Sequence, residues 1–449
     1  MTVMFRSLIA AAAISAAVLP AVAQQPAPPQ PAPPAAAPTA PPVDPNPALT
    51  EERRTEIING MRRVMTTNAF VPGKDFSNFD EFLEKYKSEI AAATTDSELA
   101  EAVNSRLMRF YGASHIVLIT PQAMRARTER RAVGVGIQVA PEEGGIRILG
   151  VFPGSPAAEA GLVPGDLIVE ADGKKVDNPT QISGAEGTQV VLSIKREDGS
   201  IKTFTLTRRA FSNVRPDTLT WVNDNTAVLK VHTFDLSYNR LRIDELMAEA
   251  SKAENLILDL RSNGGGVVAN MLHLLGHFLS PDIRFGSFIS RGMVDEFVKE
   301  TKGDPTDLRA IVQWSGNRGL AAFRRGGQPF AGRVAVLVNG GTGSAAEITA
   351  AALKEFREAS VVGTRSAGGV LVSTMAPLSN GWFLQFPFMD YVTARGLRLE
   401  GNGIVPDVEA PTPRFNEADV AIDRALALLQ RQALRQERAA AGQSGPNGK

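Results

Sequence analysis

Ser344 is the side chain of this sequence best placed to act as a nucleophile. It lies in Gly340-Gly341-Thr342-Gly343-Ser344-Ala345-Ala346-Glu347, after the apolar run Arg333–Asn339 and before an alanine-rich stretch, Ile348–Phe356, that reads as a helix. Strand, glycine turn and helix put Ser344 at a helix N-terminus, where unpaired N–H groups and the helix dipole favour negative charge. A serine there can attack a carbonyl beside its own oxyanion hole. The same residues also fit an S-x-x-E capping box, Ser344 with Glu347, which needs no chemistry. A second glycine turn, Arg261-Ser262-Asn263-Gly264-Gly265-Gly266, ends the apolar run Leu256–Leu260. It has neither the spacing of a dinucleotide fingerprint nor the Lys-Ser/Thr of a P-loop. It reads as a tight strand-to-helix turn or as a backbone donor aimed at an oxyanion. His115 stands in Ala113-Ser114-His115, just past a helix end, and is one of four histidines. Alone, such a histidine is more often structural.

Both glycine turns fall where strands are predicted to give way to helices. Strand-like Thr218–Val222, Thr226–His232 and Leu256–Leu260 alternate with helices over Leu241–Ala253 and Val267–Leu279. That alternation predicts βαβ units and a largely parallel sheet, with ligands at the carboxyl ends of its strands. Residues 280–332 are weakly periodic and read as an insertion near the site, with a helix around Pro305–Trp314. Ser360–Val362, Trp382–Phe386 and Tyr391–Thr393 are three further predicted strands, and Asn416 is the expected cap of a last helix. Upstream, helices are predicted after Thr50, over Phe79–Ile90, and from the Thr95–Glu98 capping box to a stop at Gly112.

Lysine and arginine number 48, as do aspartate and glutamate, so the net charge is zero. That balance argues against nucleic acid as a partner. With no cysteine, disulfides, thiolate catalysis and cysteine metal sites are excluded. No ligand cluster in the sequence points to a metal or organic cofactor. Met1–Ala23 has Arg6, an apolar Leu8–Leu19 and Ala21-Val22-Ala23, the pattern of a signal peptide. The apolar run is too short to span a bilayer comfortably. The expectation is an exported, periplasmic protein with no stable membrane insertion after signal removal. The expected division is a signal peptide over 1–23, a Pro/Ala-rich linker over 24–49 and an N-terminal helical region over 50–130. A PDZ-like domain over 131–210, a core with a C-terminal helix over 211–438 and a disordered tail over 439–449 complete it.

Pro153 to Val176, with Gly154-Ser155-Pro156, Ala160-Gly161-Leu162 and Gly165-Asp166-Leu167-Ile168, closely resembles a PDZ domain. The resemblance implies that Gly134, Val135, Gly136 and Ile137 form the loop that binds a peptide's terminal carboxylate. The family's groove-walling helix has only Asp177–Gly184, with Pro179, to occupy its place.

From Leu256 to Asp407 the motif order is similar to the C-terminal processing peptidases and their tricorn relatives. The matching pieces are Asp259–Gly266, Val336–Asn339, Ser344–Ile348, Val361–Thr364 and Gly403–Asp407. The resemblance implies an α/β fold: a crotonase-like ββα-superhelix core with an inserted PDZ-like domain and an N-terminal helical region. It puts Ser344 at the nucleophile position. The processing peptidases' lysine would fall on Gly369, and no lysine stands nearby; Lys354 lies too far along the Ser344 helix. The tricorn branch implies another base: His115, oriented by Ser114, which is in turn bonded to Glu400. The oxyanion hole would be the N–H of Ala345 with that of Gly264 or Gly265. The expected activity is serine-type endopeptidase action on proteins or peptides, with sites near C-termini among the expected targets; the alternative is an inactive PDZ-containing binding or scaffold protein.

Overall fold

The computed structural model describes residues 48–323, 327–413 and 417–443. The signal peptide, most of the linker, Asn416 and the end of the tail lie outside the described residues. Six strands build the central sheet, in the spatial order Thr218–Asn223, Thr226–Lys230, Asn255–Asp259, Arg333–Val338, Ser360–Gly363 and Val408–Glu409. The first pair is antiparallel and the rest are parallel. Side chains alternate across a strand, so a sheet covered on both faces needs continuous apolar runs. Val334, Val336 and Val338 face one cluster, built with the helices Arg240–Ala250, Val268–Leu275 and Ala345–Arg357. Ala335 and Leu337 face the other, closed by Ala421, Ala425 and Leu429 of the helix Val420–Gln443.

The expected crotonase-like ββα superhelix is not what forms. Among the described residues the core strands pair side by side in one six-stranded sheet. Its remaining strands leave it for a separate antiparallel sheet of Val117–Ile119, Phe383–Thr393, Gly286–Ser290 and Val372–Pro377. Phe383–Thr393 is a single strand where two were predicted. Pro387 interrupts the sequence signal, and the ladder absorbs it beside a register shift at Val372/Ser373. Within 280–332 the strand Gly286–Ser290 and the helix Arg291–Thr301 precede the helix Leu308–Ser315.

The N-terminal helices complete this second sheet. Thr50 Oγ1 accepts from Arg53 N, and Thr95 Oγ1 from Glu98 N, so both predicted caps start helices, Glu51–Asn68 and Asp96–Tyr111. Gly112, at φ 55°, stops the latter in the left-handed conformation. Met61, Leu99 and Leu107 then pack with Trp382, Leu384 and Phe386 of the sheet region. Val117–Ile119 pairs with Gln385–Phe383, and that pairing draws Ser114 and His115 to the central sheet.

The strands Ile137–Glu142, Gly145–Val151, Leu167–Ala171, Gln189–Lys195 and Ile201–Thr207 form their own sheet around Ile148, Ile168, Val190 and Ile194. The expected groove-walling segment is one 3₁₀ turn, Pro179–Ile182, capped by Asn178.

Candidate active site

The two glycine turns are stitched together at adjacent strand ends. Ser262 N donates to Asn339 Oδ1 at 2.8 Å, Thr342 Oγ1 to the Leu260 carbonyl at 2.9 Å, and Gly343 N to the Asn263 carbonyl at 2.9 Å. The approach is close enough to require glycine. At φ 93°, a Cβ on Gly265 would lie 2.6 Å from Ser344 Cβ.

Ser344 itself is strained, at φ 53° and ψ −123°. Such backbone persists only where its surroundings hold it. Here the Ser344 N–H is shared between the Gly369 carbonyl at 2.8 Å and Glu347 Oε2 at 3.0 Å. Glu347 is fully buried and also accepts from Ser366 Oγ, Gly368 N and Gly369 N. The capping-box glutamate thus ties the Ser344 backbone to the 366–369 turn. Burial pushes its carboxyl up, and those four hydrogen bonds oppose the shift.

His115 Nε2 stands 3.2 Å from Ser344 Oγ, across 229 residues of sequence. His115 also has a positive φ, 60°. Its other face is fixed by a chain: His115 Nδ1 is 2.7 Å from Ser114 Oγ, and Ser114 Oγ donates to Glu400 Oε2 at 2.9 Å. Glu400 is buried and takes two more donors, Ser114 N at 2.7 Å and Val370 N at 2.8 Å. An ionised carboxylate only accepts, so the Ser114 hydroxyl gives its proton to Glu400 and accepts from His115 Nδ1–H. That tautomer, inferred from the network, leaves the Nε2 lone pair facing the Ser344 hydroxyl. Burial lowers the His115 pKa below its ordinary 6.5, and the Glu400 charge opposes the shift, so the ring is neutral at pH 7.

A cavity of about 660 Å³ opens over this pair, with Gly264–Gly266, Phe288 and Val370–Met375 in its walls. Ala345 is the first residue of the Ala345–Arg357 helix, where the backbone N–H has no partner within the helix. Gly265 N donates to Asn263 Oδ1 at 2.9 Å, which leaves Gly264 the less committed of the two proposed glycine donors. Lys354 Nζ is paired with Asp407 Oδ1 at 2.7 Å. Gly134 ends the strand Arg131–Gly134, and Ile137 begins the next, paired with Val151. Between them, the Val135 carbonyl accepts from Ala157 N, and a Cβ on Gly136 would lie 2.1 Å from Ser155 Cβ. These four residues lie in the PDZ-like sheet region and line no part of the Ser344 cavity.

Sequence reasoning gave no role to Asn263 or Asn339, and no more than a cap to Glu347. It also missed the Asp259–Arg261–Asp419 ion pairs, at 2.8 and 2.7 Å, that fasten the last helix to the site's strand ends. The Asp-Leu-Arg triplet at a strand end was the available signal.

Residues 225–410 match the family model described as Peptidase family S41, and residues 147–196 match that of a PDZ domain. A carboxy-terminal-processing protease of Bartonella bacilliformis is 27% identical over 395 residues, 80% of this chain and 81% of that protein. A protein named "Probable CtpA-like serine protease" from Staphylococcus haemolyticus is 27% identical over 295 residues, 64% of this chain. The match spans only 54% of that relative's length. Among solved structures, mature CPAF complexed with lactacystin is similar in fold, with a TM-score of 0.50 at 13% identity. That likeness covers 85% of this chain and 97% of the other. These matches replace the crotonase-like expectation with the fold of the S41 peptidases carrying a PDZ domain. No helix among the described residues is long and apolar enough to cross a membrane. With an S41 match over its central sheet and a PDZ match before it, the chain is similar to the S41 serine endopeptidases with an associated PDZ domain.

Proposed function

We propose that the chain cleaves peptide bonds with Ser344 as nucleophile and His115 as general base. The observation that carries the reading is the 3.2 Å approach of His115 Nε2 to Ser344 Oγ, with the opposite ring nitrogen held through Ser114 to Glu400. As Ser344 Oγ attacks the scissile carbonyl, its proton passes to Nε2; the imidazolium then donates it to the leaving amine. Ser114 and Glu400 orient the ring and stabilise its charged form. The Ala345 and Gly264 N–H groups receive the oxyanion. Water completes the cycle by hydrolysing the acyl-enzyme.

The substrate class is a protein or peptide, and the Bartonella relative's name points to segments near a carboxyl terminus. Gly134, Val135, Gly136 and Ile137 would take the terminal carboxylate on the PDZ-like unit. With only a 3₁₀ turn beside it, the groove would be shallower than one walled by a helix. The domain division given above, with export to the periplasm through the 1–23 signal, belongs to the same proposal.

The test is turnover of an unfolded protein substrate by wild type, Ser344→Ala and His115→Ala, followed by mass spectrometry. Both variants should lose about 10³–10⁶ in rate. Loss in Ser344→Ala alone assigns another base. No cleavage by the wild type favours a peptide-binding protein of the same fold.

A further inference from the structure

Three side chains outside the serine site converge on one point. His273 lies on the helix Val268–Leu275, and His277 follows one turn later. The turn continues past the helix end through Gly276 N to the Leu272 carbonyl and His277 N to the Leu274 carbonyl. Residues four apart on a helix share a face, so both imidazoles project the same way. Asp244, on the packed helix Arg240–Ala250, meets them there. Its Oδ1 is 3.3 Å from His273 Nε2 and 3.0 Å from His277 Nε2. All three candidate ligand atoms lie within 4.8 Å of one another.

From these positions the geometry points to a divalent transition-metal site on Asp244, His273 and His277, of the zinc class. Two imidazole nitrogens and a carboxylate oxygen are a common zinc donor set, with metal–ligand distances of about 2.0–2.2 Å. A tetrahedron of that size has edges of about 3.3 Å. The two Asp244 edges are already that length or slightly shorter, so small side-chain shifts admit the ion. His273 also has the outer partner that metal-bound histidines need: Tyr238 OH is 2.9 Å from its Nδ1. A hydroxyl serves either tautomer, donating to a bare Nδ1 or accepting from Nδ1–H once Nε2 binds metal. His273 is 6% exposed, His277 14% and Asp244 34%, so the cluster opens to solvent on the aspartate side. A water there would supply a fourth ligand.

The ion would clamp two helices that hold the Gly264–Gly266 turn. The Val268–Leu275 helix follows that turn directly. Its Asn270 donates to the Phe234 and Asp235 carbonyls and accepts from Arg240 Nε of the partner helix. Phe234 N in turn donates to the Gly265 carbonyl at 2.9 Å. This assigns the ion a bracing role, separate from the serine chemistry. The sequence alone hides it, because Asp244 stands about thirty residues from His273.

The test uses the full chain without an added histidine tag, stripped with chelator and titrated with CoCl₂ alone, then ZnCl₂ alone. The expected result is one ion per chain, a visible d–d spectrum of tetrahedral cobalt, and a higher melting temperature with zinc. His277→Ala and the shape-preserving Asp244→Asn should each weaken binding at least tenfold, with circular dichroism unchanged in at least one. His115→Ala should bind as wild type does. The site is overturned by a wild type that binds no stoichiometric ion, by less than tenfold weakening in both variants, or by loss of binding in His115→Ala.

Discussion

A Cβ built on Gly369 would stand 3.4 Å from Ser114 Cβ and 3.9 Å from His115 Cε1. By the resemblance to the processing peptidases their lysine would fall on Gly369, so a lysine base there would take the volume that the proposed base His115 holds in this chain. A lysine side chain leaving Gly369 would have to enter the space held by Ser114 and His115. Gly369→Lys should therefore lower kcat/KM by about 100-fold or more through a displaced base. Gly369→Ala makes only near-ordinary contacts and should cost about threefold or less. Adding Gly369→Lys to His115→Ala should cost far less than it costs the wild type, since the two changes act on the same group. Steady-state kinetics on one peptide substrate checks all three.

In the proposed mechanism His115 sets the acid limb of the pH profile. Burial holds its pKa below 6.5, so kcat/KM should rise through a midpoint under that value and be level at neutral pH. The Glu400 charge raises the histidine pKa against that burial. Glu400→Gln removes the charge, so the midpoint should move further down while the plateau falls by about 10–10³-fold. A midpoint that moves up would contradict the electrostatic role.

Glu347 tests whether the strained Ser344, the proposed nucleophile, is held from below. Its two oxygens accept from Ser344 N, Gly369 N, Ser366 Oγ and Gly368 N inside a buried site. Glu347→Gln sets an amide group against N–H donors on one side. The variant should lose about 2–4 kcal/mol of stability. Its kcat should fall more than its KM rises, because the displaced part is the serine backbone. Denaturant melts and a kcat-against-KM comparison distinguish this from a simple cap, whose loss costs about 1 kcal/mol and leaves kcat nearly unchanged.

Much of this architecture was legible because it is local. The two glycine turns, the caps at Thr50 and Thr95 and the stop at Gly112 follow from residues within a few positions of one another. Ser114 and Glu400, 286 residues apart, were paired only through a resemblance; no periodicity links them. The long strand Phe383–Thr393 read as two because Pro387 breaks the propensity while the ladder bridges it. The superhelix expectation failed at the same level. Which sheet Gly286–Ser290 and Val117–Ile119 join is decided by long-range pairing with one strand, and short apolar runs do not encode their partner.

Asp217 offers a stability switch at the approach to the central sheet. Desolvation pushes its carboxyl from 3.8 up to about 6, against the His232 N–H, which donates to it at 2.8 Å. Arg242 also lowers it, and Asp235 raises it. A raised folded-state pKa means the folded protein holds this proton more tightly than the unfolded chain. The associated stability is therefore fully present below pH 3.8 and is lost as pH rises through about 6. Asp217→Asn keeps an oxygen for the His232 N–H and cannot ionise. Relative to wild type it should be about 1–3 kcal/mol more stable at pH 7.5, with the difference shrinking towards zero below pH 4. Paired urea melts across that range isolate the residue, because every other titrating group is common to both proteins. A difference that is flat with pH would mean the Asp217 carboxyl titrates alike in both states.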